Sequence, residues 1–176
     1  MKVETFETPQ DAAKALAGEV AELIRTRAAE GKNVVLGLAT GATPLPFYAE
    51  LVRMHKEEGL SFANVISFNL DEYSGLDRDH PESYWYFMHT NLFNHIDIKP
   101  ENINLPSGTV KDDEIAAHCA AYEQKIKDCG GIDLQILGIG RTGHIGFNEP
   151  GSDDTTITRQ DHLDLSLIHI SEPTRP

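Results

Sequence analysis

Three short apolar runs divide this chain, and each leads directly into a loop of polar or small residues. They are residues 33–39 (NVVLGLA), 65–70 (VISFNL) and 134–139 (LQILGI). Runs of this length, apolar at consecutive positions, are typical of strands that are buried on both faces of a parallel sheet. The sequence therefore predicts three buried strands.

Helical patterns separate these runs. The first helix is expected to begin with Thr8 as its cap and Pro9 at its first position, and to end at Gly31. Three further helices are expected after Pro44, over residues 83–93, and from an Asp112 cap onward. Since strands and helices alternate, the sequence predicts an α/β fold whose parallel sheet is covered by helices on both faces.

The charge balance limits which partners the protein can bind. The chain has 15 Lys and Arg against 28 Asp and Glu, a formal net charge of −13. Because so acidic a surface repels nucleic acid and anionic lipid, we expect no nucleic acid and no membrane as partner. Cys119 and Cys129 are too few for a disulfide framework or a zinc site. No apolar run reaches membrane-spanning length and no signal-peptide pattern occurs, so we expect a cytoplasmic protein.

The loops after the three strands are where a ligand is expected, because parallel sheets bind ligands beyond the carboxyl ends of their strands. The first loop contains Thr40, Gly41, Ala42 and Thr43. Small residues between a strand and a helix let backbone N–H groups approach a phosphate, and the two hydroxyls add donors. A tight turn with a Thr cap explains the same residues equally well, so both interpretations stay open here.

The second loop begins with two adjacent carboxylates, Asp71 and Glu72. A carboxylate at the end of a buried strand is partly desolvated, which raises its basicity and suits it to proton abstraction. Neighbouring side chains at a strand end point in opposite directions, so only one of the two is expected to face the crevice. Spacing alone slightly favours a solvated loop or a helix cap, and it disfavours a metal site because no His or Cys flanks the pair.

The third loop carries His144 and Glu149 among glycines, five positions apart. A carboxylate–imidazole pair could move a proton near neutral pH. A zinc-protease site is excluded because the loop has no HExxH motif. Six other histidines are interpreted as structural or surface residues: His55, His80, His89, His95, His118 and His162.

Five stretches of the chain together resemble one enzyme family, the glucosamine-6-phosphate deaminases. They are GLATGATPLPFY (37–48), SFNLDEYSGL (67–76), HPESYWYFMHTNLF (80–93), IKPENINLP (98–106) and GIGRTGHIGFNEPG (138–151). The resemblance implies conversion of glucosamine 6-phosphate and water to fructose 6-phosphate and ammonia, in amino-sugar (N-acetylglucosamine) catabolism. It also implies a three-layer αβα sandwich with a mostly parallel, Rossmann-like sheet, no metal or organic cofactor, and a homo-oligomer at full length.

The resemblance also assigns roles to matching positions of this sequence. Asp71 matches the carboxylate that transfers a proton between C2 and C1 through an enolamine. His144 matches the imidazole that assists opening of the pyranose ring, and Glu149 matches its carboxylate partner. Residues 40–43 match the loop that holds the substrate phosphate. Thr142 departs from the pattern, because the family usually has Asp or Asn there, and a hydroxyl cannot carry an Asp's negative charge in the ring-opening network.

Other functions within reach of this sequence differ in the residues they need. A non-catalytic sugar-phosphate sensor would keep the phosphate loop but would not need Asp71, His144 and Glu149 together. An isomerase for a related aminosugar phosphate fits the same fold. A sugar-phosphate lactonase is expected to lack the FNLDEY and FNEP motifs that occur here. The sequence therefore favours an aminosugar-phosphate deaminase.

The last twelve residues, 165–176 (LSLIHISEPTRP), are similar to the in-frame translation of a transposase adapter used in sequencing libraries. An ordinary terminal loop or strand is the alternative. We expect residues 1–164 to be a partial sugar-phosphate deaminase/isomerase domain with a sheet incomplete at its C-terminus, and residues 165–176 to be a non-native tail. Because the family's phosphate-binding Lys and a further active-site Arg lie beyond this stretch, we expect the chain as written to be poorly stable and weakly active or inactive.

The adapter interpretation predicts that the reading frame of the source DNA continues past the Asp164 codon into further strand and helix sequence. An independent DNA read across the codons for Asp164 and Leu165 tests this. A read that shows LSLIHISEPTRP followed by a stop codon would contradict the adapter origin of the tail.

Overall fold

Four parallel strands form the sheet of the computed structural model, which describes residues 2–140, 143–148 and 158–160. The strands are β1 (Val34–Leu38), β2 (Val65–Asn69), β3 (Ile103–Asn104) and β4 (Leu134–Gln135), in the spatial order β3-β2-β1-β4. β1 and β2 pair along their whole length, ending with Leu38 opposite Asn69. The loops that follow these two strands therefore leave the sheet side by side.

Four helices accompany the sheet: α1 (Pro9–Ala29), α2 (Leu45–Glu58), α3 (Tyr84–Asn91) and α4 (Ile115–Asp128), with short 3₁₀ turns at Phe93–His95 and Pro100–Asn102. α1 begins as predicted, since the Thr8 hydroxyl accepts a hydrogen bond from the backbone N–H of Asp11 at 3.1 Å. Ser83 caps α3 in the same way by accepting from the N–H of Tyr86 at 3.0 Å. In the described part of the chain, none of these helices has both the length and the apolar character that crossing a bilayer requires.

Helices lie on both faces of the sheet, as the sequence predicts. Leu36 and Leu38 of β1 belong to a buried cluster that also contains the apolar residues of α1 and α2. Side chains alternate between the two faces of a strand. Phe68, whose register partner in β1 is Gly37, lies on the other face and packs edge-on against Tyr122 of α4, with 5.6 Å between the ring centroids. The predicted α/β class with a parallel sheet is thus confirmed.

The third predicted strand is shorter and less buried than expected. The prediction covered residues 134–139, whereas β4 contains only Leu134–Gln135, paired with β1. Farther along, Leu137 and Ile139 are 49% and 79% exposed. The run has β1 on one side and no described strand on the other, so its apolar residues are not covered. The prediction of a buried strand through Ile139 is wrong.

Two other elements differ from the prediction. The strand β3 was not expected, because the two residues of Ile103–Asn104 are too few to produce a periodic signal. α4 begins at Ile115, and the N-cap residue Glu114 makes no side-chain cap. A turn closed by the Glu114 N–H on the Lys111 carbonyl (2.9 Å) precedes the helix, so Asp112 lies within this turn and does not cap α4.

Asp133 joins the start of β4 to both β1 and α1. Its Oδ2 accepts a hydrogen bond from the Val35 N–H at 2.9 Å, and its Oδ1 pairs with the Arg27 guanidinium. The Asp133 N–H in turn donates to the Val35 carbonyl at 2.9 Å. One side chain thus satisfies a backbone donor of the buried strand β1 and fixes α1 against the sheet.

Replacing Asp133 by Ala is expected to lower the free energy of unfolding by about 1–3 kcal/mol, because the Val35 N–H loses its acceptor. Urea denaturation followed by circular dichroism measures the change. The matched control is Asp113→Ala, at an exposed position in the turn before α4. Equal losses of stability in the two variants would contradict the role assigned to Asp133.

Candidate active site

A cavity of about 410 Å³ lies at the carboxyl end of β2. The residues that directly follow β2 form one wall and α4 forms another; the rest of the lining comes from Tyr84, the segment after β3 (Pro106, Ser107 and Val110), Leu137, and residues 145–148 and 158–160. Among the site residues predicted from sequence, Asp71 lines this cavity. The cavity therefore occupies the position where parallel sheets bind ligands.

Asp71 is partly buried in the cavity wall. Burial, which penalises the charged form, is the main reason why the pKa of its carboxyl rises from 3.8 to about 7. The negative charge of the neighbouring Glu72 raises this pKa further. A carboxyl with such a pKa is divided between its two protonation states near neutral pH, which suits a group that takes up a proton and returns it.

Glu72 is also among the residues that line the cavity. Hydrogen bonding distinguishes the two acids. The Oε1 of Glu72 accepts from the N–H groups of Tyr73 (2.9 Å) and Tyr84 (2.8 Å), and its Oε2 accepts from that of Trp85 (2.9 Å). The helix-cap interpretation therefore applies to Glu72. Within the described residues, no group of three His, Cys, Asp or Glu side chains is placed to hold a metal ion.

Tyr84, the first residue of α3, lies between Asp71 and the first loop. Its hydroxyl donates to that of Tyr73 at 3.1 Å, and the two rings pack with 4.8 Å between their centroids. Burial raises the pKa of the Tyr84 phenol, and the nearby charge of Asp71 raises it further, whereas a hydrogen bond with Thr40 lowers it. Tyr84 thus interacts with residues from two different strand ends.

Tyr122 of α4 closes the other side of Asp71. Its hydroxyl lies 2.9 Å from the carbonyl oxygen of Asn69 and 3.1 Å from that of Asn104. Burial raises the pKa of this phenol, and the charge of Asp71 adds to the rise. These contacts hold α4 against the ends of β2 and β3, so the helix wall of the cavity is fixed by the sheet.

The loop of residues 40–43 joins β1 to α2 but does not line the cavity. Gly41 adopts a φ of +95°, which only glycine reaches without strain. The N-cap position of α2 is Pro44, which makes no side-chain cap, so the alternative interpretation as a Thr-capped turn is wrong. Residues 41–43 are exposed, and the Tyr48 hydroxyl holds the start of the loop by donating to the Ala39 carbonyl.

His144 follows β4 in the chain and lies against the backbone of Gly140. The Gly140 N–H donates to the His144 carbonyl at 2.9 Å, and the imidazole stacks on the ring of Phe147 with 5.7 Å between centroids. A Cβ at Gly140 would lie 2.1 Å from the imidazole Cε1, so only glycine lets the ring lie this close to the backbone. His144 does not line the cavity that contains Asp71.

Several residues singled out in the sequence lie outside the described residues. These are the candidate catalytic residues Thr142 and Glu149, the histidine His162, and the tail of residues 165–176.

The cavity contains side chains that sequence reasoning did not select. His118 was classed as structural, yet it lines the cavity, where its Nε2 accepts a hydrogen bond from the Ser107 N–H at 3.1 Å. Tyr122 was not singled out in the sequence either. The sequence feature that could have revealed Tyr122 is a tyrosine among the apolar residues of α4, because a buried tyrosine hydroxyl usually needs a polar partner.

Comparisons with known proteins agree with this geometry. Residues 7–173 match the family model for glucosamine-6-phosphate isomerases/6-phosphogluconolactonase. A glucosamine-6-phosphate deaminase from Thermoanaerobacter sp. is 52% identical over 145 residues, which are 82% of this chain and 55% of the relative. A solved monomeric glucosamine-6-phosphate deaminase superimposes with a TM-score of 0.90 at 42% identity, covering 97% of this chain and 68% of that one.

A 6-phosphogluconolactonase from Plasmodium vivax has a TM-score of 0.64 at 26% identity, over 81% of this chain and 48% of the lactonase. The similarity to the deaminases is thus greater in both sequence and structure. The chain spans about half the length of the relatives it matches in sequence.

The raised pKa of Asp71 predicts a specific dependence of stability on pH. The folded protein binds the proton more tightly than the unfolded chain, so this group's contribution to stability is lost as pH rises from about 4 through about 7. Asp71→Asn, which stays neutral, is expected to be as stable as the wild type at about pH 4. At about pH 8 it is expected to be more stable by up to about 4 kcal/mol, at about 1.4 kcal/mol per pKa unit.

Urea denaturation at both pH values measures this difference. Asp79→Asn, at an exposed position in the loop after β2, is the matched control and is expected to show no such pH dependence. An Asp71→Asn protein that gains no stability at the higher pH would show that the carboxyl is not destabilised by burial.

Proposed function

The chain belongs to the glucosamine-6-phosphate isomerase/6-phosphogluconolactonase family, and on that basis we propose that the complete protein is a glucosamine-6-phosphate deaminase. It converts glucosamine 6-phosphate and water to fructose 6-phosphate and ammonia. The greater similarity to deaminases than to the lactonase supports this choice within the family. The FNLDEY motif, which contains Asp71, supports it from the sequence.

The observation that carries the proposal is the partly buried Asp71 in the cavity wall at the end of β2. Moving a proton from C2 to C1 of the open-chain sugar needs one group that accepts the proton and then returns it. A carboxyl with a pKa of about 7 can do both near neutral pH, whereas one at the usual value would hold the proton too weakly to return it. Asp71 is therefore the proposed acid–base residue.

The other roles follow the resemblance and are proposals of the same kind. His144, with Glu149 as its carboxylate partner, assists opening of the pyranose ring, and the hydroxyl of Thr142 takes the place of the family's acidic or amide group. Residues 40–43 bind the phosphate. Two features support the last role: the exposure of residues 41–43 and the absence of a side-chain cap on the N-terminus of α2.

The resemblance also suggests that the full-length protein forms a homo-oligomer, and the sequence analysis predicts a cytoplasmic location. Both stay predictions. The similar solved deaminase is described as monomeric, so full-length protein of either state is compatible with the family.

Asp71→Asn in the complete protein is expected to reduce kcat for ammonia release from glucosamine 6-phosphate by about 10²–10⁴-fold, because an amide cannot exchange the C2 proton. KM should change much less, since the substitution keeps the shape of the side chain. A coupled assay for released ammonia measures both constants.

Asp79→Asn serves again as the control and should retain wild-type kinetics. Undiminished ammonia release by Asp71→Asn would show that another group is the base. A wild-type protein that binds glucosamine 6-phosphate without releasing ammonia would instead identify a sugar-phosphate sensor.

A further inference from the structure

We propose that Glu72 is a positioning residue for this reaction: it fixes the N-terminus of α3 against the end of β2 and keeps a negative charge beside Asp71. The inference rests on the proposed deaminase function, because it concerns the base of that reaction. No role in catalysis was assigned to Glu72 from the sequence, which left it as a cap or a solvated acid.

The first part of the argument is the hydrogen bonding of Glu72. Tyr84 and Trp85 are the first two residues of α3, and their N–H groups have no acceptor within the helix. Both donate to Glu72, which is 12 and 13 residues earlier in the chain. A third bond, from the N–H of Tyr73, orients the same carboxylate from its own loop. Glu72 therefore links two segments that local sequence would leave independent.

The second part of the argument is the position of Tyr84, which depends on the Glu72 link. Tyr84 interacts with Asp71 on one side and with Thr40 on the other. Its position depends on where α3 begins, and that point is held by the Glu72 carboxylate. A displacement of α3 would therefore move the Tyr84 hydroxyl away from Asp71. Glu72 acts on the base through this backbone link, without needing to touch the substrate.

The third part is electrostatic. The charge of Glu72 adjoins Asp71 and favours the protonated form of that carboxyl. The other titratable groups that line the cavity around Asp71 come from several elements: Tyr73 from its own loop, Tyr84 from α3, His118, Cys119, Tyr122 and Glu123 from α4, and Arg159 from residues 158–160. Burial acts in the same direction as Glu72 and has the larger effect on Asp71. Removing the charge alone should thus lower the Asp71 midpoint only in part.

Glu72→Gln removes the charge and keeps the length of the side chain, but it retains only one of the two oxygen acceptors that bond Tyr73, Tyr84 and Trp85. The Asp71 carboxyl is titrated by carbon-13 NMR in the complete protein, and kcat/KM for ammonia release is measured across the same pH range. We expect the Asp71 midpoint and the acid limb of the kinetic profile to move together to lower pH, by roughly half a pH unit or more. The matched control is Glu82→Gln, an exposed acid just before α3 that should leave both unchanged.

An unchanged Asp71 midpoint in folded Glu72→Gln protein would overturn the proposal. The NMR titration needs no turnover, so it tests Glu72 even if the wild type releases no ammonia, an outcome that would refute only the deaminase function. A purely structural role for Glu72 would alter stability but would not move the two midpoints together.

Hydrogen exchange in the wild type keeps the test decisive if Glu72→Gln does not fold. The amides of Tyr84 and Trp85 occupy the first turn of α3, where amides normally exchange freely because they lack acceptors. We expect exchange to be slowed by at least about tenfold relative to an unstructured peptide. Unprotected amides at both positions would show that the Glu72 link is absent in solution and would overturn the proposal.

Discussion

The side-by-side ends of β1 and β2 are the constraint on which the rest of the site depends. Asn69, the last residue of β2, is buried, and its Nδ2 donates to the carbonyl of Leu38, the last residue of β1, at 3.1 Å. The Asn69 carbonyl in turn accepts from the Tyr122 hydroxyl of α4. The buried Nδ2 donor is thereby satisfied and helps to fix this geometry, whereas the buried Oδ1 of the same side chain finds no hydrogen-bond partner among the described residues. Asp71 follows Asn69 by two residues, and the sheet rather than the loop therefore sets its distance from α4.

This placement has an energetic cost, which is typical of carboxyls that take part in proton transfer. An ionised carboxylate in a partly buried wall is disfavoured, which is why the pKa of Asp71 rises. Glu72, one residue later, carries the same charge but gains three backbone donors. The two adjacent acids therefore differ: Glu72 caps α3 through its hydrogen bonds, whereas burial disfavours the charged form of Asp71. Such separation of neighbouring acids is a common feature of sites that transfer protons.

The parts of the fold that local chemistry determines could be predicted from the sequence, and those set by distant partners could not. The Thr8–Pro9 start of α1 needs only residues within one turn, and it was predicted correctly. The extent of β4 depends on which strand lies beside it, so its apolar run was extended too far. Recognisable strand ends drew attention to Asp71 and Glu72, but only the family resemblance chose Asp71 between them. His118 was missed because nothing within α4 indicates that a loop amide, that of Ser107, lies against its ring.

The HPESY stretch (80–84) contributes to the site through hydrogen bonds that fix the start of α3. Ser83 is fully buried, with its hydroxyl donating to the Arg78 carbonyl at 2.9 Å while it accepts from the N–H of Tyr86. Glu72 accepts from the backbone N–H groups of Tyr84 and Trp85. Every one of these contacts determines where α3 begins, and Tyr84 is its first residue. The Tyr84 phenol forms a hydrogen bond with Thr40 of the first loop and feels the charge of Asp71 in the second. The two loops are therefore linked through Tyr84. The N-terminus of α3, held by the Ser83 hydroxyl and by both carboxylate oxygens of Glu72, brings the two loops together. A change at any of these three acceptor atoms is therefore expected to affect both loops.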